Sequence, residues 1–296
     1  MKDKERISKL LSMAYNTNST ARIIAISNQI LELDDDNPDA LLLKAEHTQG
    51  EDKKIELLKR ALDSLMKPEN QNYEDRDFLL FEVNEGLALM YFVKENFHES
   101  FKFCSEAMKI LHDNEDFSDI IEDDGYLKSV NYRVMIELHE WQKILSEAMR
   151  DDEHNTAWAY SRLIAAYMLA PEHGQVYANM FWDLLRVSPD VPLYMIGYRD
   201  EPDDDSDSQA FEDFNFALMF YDTLSISDDF KKWFEHGAIL FGLLTNRFDS
   251  REYDYMIDAL DALGGYDEYD RMSKMIFEGD DESVIEMLAA NKCLTK

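Results

Sequence analysis

The stretch LELDDDNPDALLLKAE, Leu31–Glu46, runs from an acidic segment through a proline directly into an apolar segment. Before it, ARIIAISNQILEL spaces its apolar side chains at the period of a helix. Pro38 disfavours helical geometry at Asn37 and fits the first turn of a following helix, in which apolar residues resume at Ala40. The pattern predicts two helices separated by a short break, and such neighbours pack antiparallel.

The composition favours the same kind of structure along the whole chain. Of the 296 residues, 45% are hydrophobic, which is typical of a folded protein. With only 10 glycines and 6 prolines, the sequence is poor in the turn residues that a sheet protein needs. We therefore expect helices joined by short loops.

The charge of the chain is large, negative and unevenly distributed. The net charge is −32, and residues 1–66 contribute only −2 of it, from 10 basic and 12 acidic side chains. Residues 67–296 hold the other 20 basic and 50 acidic side chains, a net charge of −30. Nucleic acids and anionic membranes need cationic surfaces, so neither is expected as a partner, whereas a basic protein would be attracted.

One segment, NEGLALMYFVKENFHESFKFCSEAMKIL, places small and large residues at the spacing of a recurring helix pair. Leu87, Ala88 and Tyr91 occupy the first helix, and Ser100 and Ala107 occupy the second. Small side chains at such positions let two helix axes approach closely. In this segment and in the acidic junction described above, the sequence resembles the tetratricopeptide repeat family. The resemblance implies an all-α, right-handed superhelix of stacked helix pairs.

Less regular copies of the pattern lie on both sides. Pro38–Met66 forms one pair with Ala61 at a small-residue position, and residues 156–194 form another around Leu163 and Tyr167. A further pair is predicted in residues 252–277. Together these copies predict about five or six helix pairs in a TPR-like solenoid.

The segment RDEPDDDSDSQ, residues 199–209, is the strongest linker signal, because it holds six acids and a proline without an aliphatic side chain. We expect a TPR-like helical array in residues 1–198, an acidic linker in 199–209, and helical pairs in 210–296 that continue the solenoid. Near the end of the sequence, DESVIEMLAANK is predicted to be a capping helix, which covers the apolar face of the last repeat.

No motif in the sequence predicts catalysis, a metal or a cofactor. His139 and Glu140 begin like a zinc-binding HExxH motif, but Lys143 stands where the second histidine is needed. Glycine loops for phosphate and the nucleophile elbow are absent. Cys104 and Cys293 form no CxxC pair, so reduced thiols and a cytoplasmic location are expected. No apolar run reaches the roughly 18 residues of a membrane span.

In tetratricopeptide repeats, the first helix of each pair lines a concave groove that binds peptides. The resemblance places eight side chains of this chain on that face: Glu82, Glu85, Leu89, Phe92, Trp158, Ser161, Ala165 and Met168. A groove that mixes carboxylates and apolar groups suits a basic or amphipathic segment. Glu85 and Leu89 stand where members that clamp a C-terminal carboxylate carry basic or amide groups, so that ligand is not expected.

From these features we expect a non-enzymatic scaffold that binds a basic or amphipathic protein or peptide segment through shape and charge complementarity. An acidic escort for a very basic client is a related alternative. Two alternatives from other classes also stay open, a hydrolase and a peptide-sensing regulator, each built on an α-solenoid.

Overall fold

The computed structural model describes residues 2–114, 125–150, 155–202, 208–247, 265–274 and 280–295. Within these ranges the protein is all-helical, with fifteen α-helices, two 3-10 helices and no β-strand. Most of the α-helices pack against the helix that precedes or follows them in the chain. The prediction of an all-α fold of neighbouring helix pairs is therefore confirmed.

The chain divides into two compact units, Met1–Val134 and Met135–Lys296. The seventh helix, Gly125–Glu137, crosses the division. The helices of the first unit and this crossing helix are α1 Lys2–Tyr15, α2 Thr20–Leu31, α3 Pro38–Glu46, α4 Glu51–Leu65, α5 Arg76–Val93, α6 Phe97–Asp113 and α7 Gly125–Glu137. A 3-10 helix, Pro68–Asn70, lies between α4 and α5.

The second unit contains the remaining helices within the described ranges. They are α8 Trp141–Ala148, α9 Thr156–Leu169, α10 Gly174–Val187, α11 Val191–Met195, α12 Ser208–Phe220, α13 Asp228–Leu244, α14 Tyr266–Ser273 and α15 Asp281–Ala290. A 3-10 helix, Tyr221–Ile226, connects α12 to α13. Of the helix pair predicted in 252–277, residues 252–264 and 275–277 lie outside the described residues, and α14 forms most of the rest.

The break predicted between α2 and α3 forms as the sequence indicates. Helix α2 ends at Leu31, and α3 begins at Pro38 after Asn37 as its N-cap. The side-chain oxygen of Asn37 accepts a hydrogen bond from the backbone N–H of Ala40 at 3.1 Å, which satisfies one of the free donors at the helix start. Proline is suited to this first turn because its missing N–H would have no partner there.

Helices of the first unit pack in chain order from α1 to α6, and α3 also contacts α5. Because α3 and α5 are the first helices of successive pairs, these first helices lie side by side. Small residues mark the contact between α5 and α6: the hydroxyl of Ser100 donates a hydrogen bond to the carbonyl of Ala88 at 2.8 Å, and Ala107 is fully buried. The small-residue positions found in the sequence thus lie at a helix–helix contact.

Three residues connect α5 to α6. Glu95 adopts a left-handed backbone with φ 55°, and the N–H of Asn96 bonds to the carbonyl of Tyr91 at 2.9 Å, which ends α5. The side chain of Asn96 then accepts a hydrogen bond from the N–H of Glu99 at 3.4 Å and caps α6. The turn therefore consists of Lys94, Glu95 and Asn96, and Phe97 is the first residue of α6.

Helix α9 lies at the centre of the second unit, where α8 and α10 both pack against it. The ring of Tyr160 makes edge-on contacts with Phe216, Phe220 and Phe234 at centroid distances of 6.1, 5.6 and 5.9 Å. Its hydroxyl hydrogen-bonds to that of Thr223 at 2.7 Å, so the buried polar group has a partner. Aromatic side chains from α9, α12 and α13 therefore form the core of this unit.

The boundary between the units differs from the predicted one. The acidic segment 199–209 lies inside the second unit, and its residues 203–207 are outside the described ranges. Helices α11 and α12, which flank this segment, pack against each other, and Arg199 forms an ion pair with Asp190 at 2.5 Å. Residues 199–202 therefore lie in a segment between two helices that pack against each other, and the division of the chain falls after Val134.

The helix predicted as a cap is α15, and it packs against α10 and α13. Its contact with α10 spans roughly a hundred residues of sequence: Arg186 donates hydrogen bonds to Glu282 through Nε at 3.0 Å and Nη2 at 2.9 Å. The last described helix thus contacts a helix that lies much earlier in the same unit.

Candidate binding surface

The four predicted groove residues of the first unit form one stripe along α5. Glu82, Glu85, Leu89 and Phe92 recur at intervals of three or four residues, which places them on a single helix face. All four are half-buried. Each of them keeps part of its surface open, although the ring of Phe92 also packs against that of Phe97, the first residue of α6, at a centroid distance of 6.3 Å.

Asp39, in the first turn of α3, brings two tyrosines to the same region. The hydroxyl of Tyr15 donates a hydrogen bond to Asp39 Oδ1 at 3.2 Å, and the hydroxyl of Tyr73 donates one to Oδ2 at 2.6 Å. The oxygen of Tyr73 also accepts a hydrogen bond from Nδ2 of Asn37 at 3.3 Å. Tyr15 ends α1 and Tyr73 precedes α5, so Asp39 connects three parts of the first unit.

Four carboxylates from two adjacent helices form what we call the acidic face: Asp39 and Glu46 of α3, and Glu82 and Glu85 of α5. Burial and the negative charges of the other three raise the pKa of Glu82 to about 7. Burial also raises the pKa of Glu46, although nearby cations oppose the shift. The carboxylates of α3 and α5 are therefore close enough to repel one another.

The acidic face is open to water. Tyr15, whose hydroxyl bonds to Asp39, is 60% exposed, and the side chain of Glu46 is 48% exposed. Desolvation by the surrounding protein raises the pKa of both groups. Leu89 and Phe92 extend this surface further along α5.

The predicted groove residues of the second unit have a different environment. Three of them are buried and one is half-buried: Trp158, Ser161 and Ala165, and then Met168. The indole N–H of Trp158 donates a hydrogen bond to the carbonyl of Ala148 at 2.9 Å, and the guanidinium of Arg162 lies over the indole ring at 4.0 Å.

The physical reason is that most side chains of α9 are apolar and buried, and Arg162 is its one charged residue. Helices α8 and α10 and the rings of α12 and α13 cover it. A covered side chain cannot contact a partner, so Trp158, Ser161 and Ala165 do not line an open groove.

Sequence reasoning missed four residues of this surface: Tyr15, Asp39, Glu46 and Tyr73. One signal could have found the two acids, because Asp39 and Glu46 are seven residues apart on α3, the same separation as Glu82 and Leu89 on α5. The tyrosines reach Asp39 across 24 and 34 residues of sequence. No local pattern indicates such contacts.

Within the described ranges, no three histidine, cysteine, aspartate or glutamate side chains are arranged to hold a metal ion. None of the described helices combines the length and the apolar content needed to cross a bilayer. No protein-family model, curated protein or solved structure matches the sequence.

Proposed function

We propose that residues 1–134 form a tetratricopeptide-like solenoid that binds a basic or amphipathic protein segment along its acidic face, without catalysis. Support for the repeat architecture comes from the packing of α1 to α6 in chain order and from the contact between α3 and α5. The small residues Ala88 and Ser100, which lie at the contact between α5 and α6, add to this support. The binding function rests on the convergence of carboxylates from α3 and α5.

Repulsion among these carboxylates is the physical source of the proposed affinity. Because Glu82 has a pKa of about 7, the folded chain holds this group only partly ionised near neutral pH. A lysine or arginine side chain placed beside it would offset the repulsion and favour the ionised form. Binding of a basic segment would then release protons and weaken as salt rises.

The apolar end of the surface defines the second property of the partner. Leu89 and Phe92 follow the carboxylates along α5, and the neighbouring Val93 is 58% exposed. An amphipathic segment satisfies both regions, with its cations at the acidic face and its aliphatic or aromatic side chains against the end of α5. A purely cationic segment would use only the first region.

The test is selection from a random peptide library displayed on phage, with the full chain as bait. We expect selected peptides to combine Lys or Arg with Leu, Ile or Phe, and their affinity to fall by about ten-fold or more with Glu82→Lys. Glu106→Lys changes the net charge equally at an exposed position of α6, and should retain binding. Selection of acidic or uncharged peptides, or equal affinity for the two variants, would contradict the proposal.

Calorimetry provides a second readout that depends on Glu82 itself. Titrations of a selected peptide at pH 7 in two buffers with different enthalpies of ionisation measure the protons released on binding. We expect the wild type to release a fraction of a proton when the peptide binds. Glu82→Gln should lack this release, because glutamine does not titrate. Equal proton release by both proteins would show that the peptide does not bind beside Glu82.

A further inference from the structure

The first helix pair carries a charge opposite to that of the chain as a whole. Residues 2–31, which contain α1 and α2, hold five basic and two acidic side chains, a net charge of +3 in a chain of net charge −32. Arg6 and Lys9 of α1 are both exposed, and neither forms an ion pair with another described residue. Exposed cations without a partner in their own chain are available to a separate acidic surface.

These two cations and a methionine form a stripe along the exposed side of α1. Arg6, Lys9 and Met13 recur at intervals of three and four residues, so they share one face of the helix. Met13 is 46% exposed. The apolar side chains of Leu10 and Ala14 are buried in a core shared with α2 and α3, so α1 has no broad apolar face left for a lipid surface. We call Arg6, Lys9 and Met13 the basic stripe.

The basic stripe matches the stripe on α5 in order and in spacing. On α5, Glu82, Glu85 and Leu89 follow one another at the same intervals of three and four residues. Along a helix these intervals correspond to about 4.5 Å and about 6 Å. An α1 helix that lies parallel to α5 therefore brings each of its cations opposite a carboxylate, and Met13 opposite Leu89.

The basic stripe cannot meet the acidic face of its own chain. Helix α1 is fixed by its packing on α2, and Tyr15 at its end donates a hydrogen bond to Asp39 of the acidic face at 3.2 Å. Met13 and Tyr15 are two residues apart, which is a rotation of about 200° around the helix. The basic stripe thus projects away from the side on which Tyr15 contacts the acidic face, and a carboxylate partner for it must come from another molecule.

We propose that the acidic face binds α1 of a second copy of this chain, with the two helices parallel and Arg6 paired with Glu82. This inference rests on the proposed function, because it names a partner for the same surface. A contact of one helix with another is small, so the association is weak and transient. Two copies of net charge −32 repel each other at long range, and salt at about 0.15 M screens this repulsion beyond about 8 Å.

Sedimentation equilibrium of the full chain at this salt concentration, over a range of protein concentrations, tests the proposal. The average mass of the wild type should rise with concentration. Arg6→Glu and Glu82→Lys each replace an attraction by a repulsion and should lower the association constant by about ten-fold or more. Lys109→Glu and Glu106→Lys make the same two changes of charge at exposed positions of α6, and both should associate as the wild type does.

Two combinations show that Arg6 and Glu82 contact each other. The double variant Arg6→Glu/Glu82→Lys restores the pair with its charges exchanged and should associate again. A mixture of the two single variants should also associate, because one supplies an intact α1 and the other an intact acidic face. Since Arg6 is exposed, Arg6→Glu keeps the fold and decides the question even if Glu82→Lys does not fold.

A basic amphipathic peptide rich in lysine and leucine separates this inference from the proposed function. Arg6→Glu retains the acidic face and should bind this peptide with wild-type affinity. A wild type that stays monomeric, or an unchanged association constant in Arg6→Glu, overturns the inference, and peptide binding that is lost in Glu82→Lys would still support the proposed function. Binding of a monomeric wild type to anionic lipid vesicles through Arg6 would also overturn the inference, and would assign the basic stripe to a membrane surface.

Discussion

The hydroxyl of Ser100 lies 2.8 Å from the backbone carbonyl of Ala88, to which it donates a hydrogen bond across the contact between α5 and α6. Both residues have no exposed surface. The small volume of the two side chains allows the helices to approach closely. The buried hydroxyl finds its hydrogen-bond acceptor in the backbone of the other helix. One residue thus combines the packing and the polar requirement of this helix pair.

Substitutions of Ser100 separate these two contributions. Ser100→Ala keeps the volume and loses the hydrogen bond, so the free energy of unfolding should fall by about 1 kcal/mol. Ser100→Leu forces the helices apart and should cost about 3 kcal/mol. Urea denaturation measures both. Ser105→Ala removes a hydroxyl that bonds within its own helix, to the carbonyl of Phe101, and should change little. Equal stability of the Ala and Leu variants would show that the helices are not held at this distance.

The N-cap of α3 gives a second prediction. Asn37 is 3% exposed, and its amide group accepts from Ala40 and donates to Tyr73 and to Asp34. Asn37→Ala loses these three bonds and should lower the free energy of unfolding by about 2 kcal/mol. Asn37→Ser keeps a capping acceptor, loses the amide donors and adds no charge beside Asp34, so its stability should lie between those of the wild type and Asn37→Ala. A smaller loss for Ala than for Ser would contradict the capping role.

The turn after α5 predicts a stabilising change. Glu95 holds φ at 55°, a region that glycine enters without steric penalty. Glu95→Gly should therefore raise the free energy of unfolding by up to about 1 kcal/mol, after the added freedom of the unfolded chain is subtracted. The same substitution at Glu106, inside α6, should lower stability by about 1 kcal/mol. Thermal denaturation of the two variants would decide, and equal losses would exclude a left-handed cap at Glu95.

Local signals predicted the helix junctions of the first unit well. Pro38 and Asn37 form a helix start from side-chain chemistry that acts within a few residues. Ala88 and Ser100 are small because the backbones of α5 and α6 meet there, and the pair is close in sequence. Such features are determined by residues that are close together in the sequence, so a local sequence pattern is enough to predict them.

Features that depend on the packing of distant helices could not be read in this way. The contact of Tyr15 with Asp39 joins α1 to α3, and only the folded chain brings the two side chains together. The repeat pattern predicts Trp158 on a groove because its position matches that of Glu82, but rings from α12 and α13 pack against Tyr160 of the same helix and Trp158 is buried. The composition of the acidic segment 199–209 suggests a domain boundary. The contact between α11 and α12, which lie on either side of the segment, depends on the folded chain and cannot be read from composition.

The pKa of Glu82 predicts how stability depends on pH. This group titrates near pH 7 in the folded chain and near pH 4.3, roughly, when unfolded. Between these values the folded state binds more protons, so the stability contribution of Glu82 is complete below about pH 4 and is lost as the pH rises through about 7.

Glu82→Gln removes this dependence. It should match the wild type at pH 4 and exceed its free energy of unfolding at pH 8, by up to about 3–4 kcal/mol. Urea denaturation across this range measures the difference, and Glu106→Gln, at an exposed position of α6, measures the part that follows from net charge alone. A difference between wild type and Glu82→Gln that stays constant from pH 4 to pH 8 would mean that the carboxylates of α3 and α5 do not repel Glu82, and the electrostatic basis of the proposed binding surface would be lost with it.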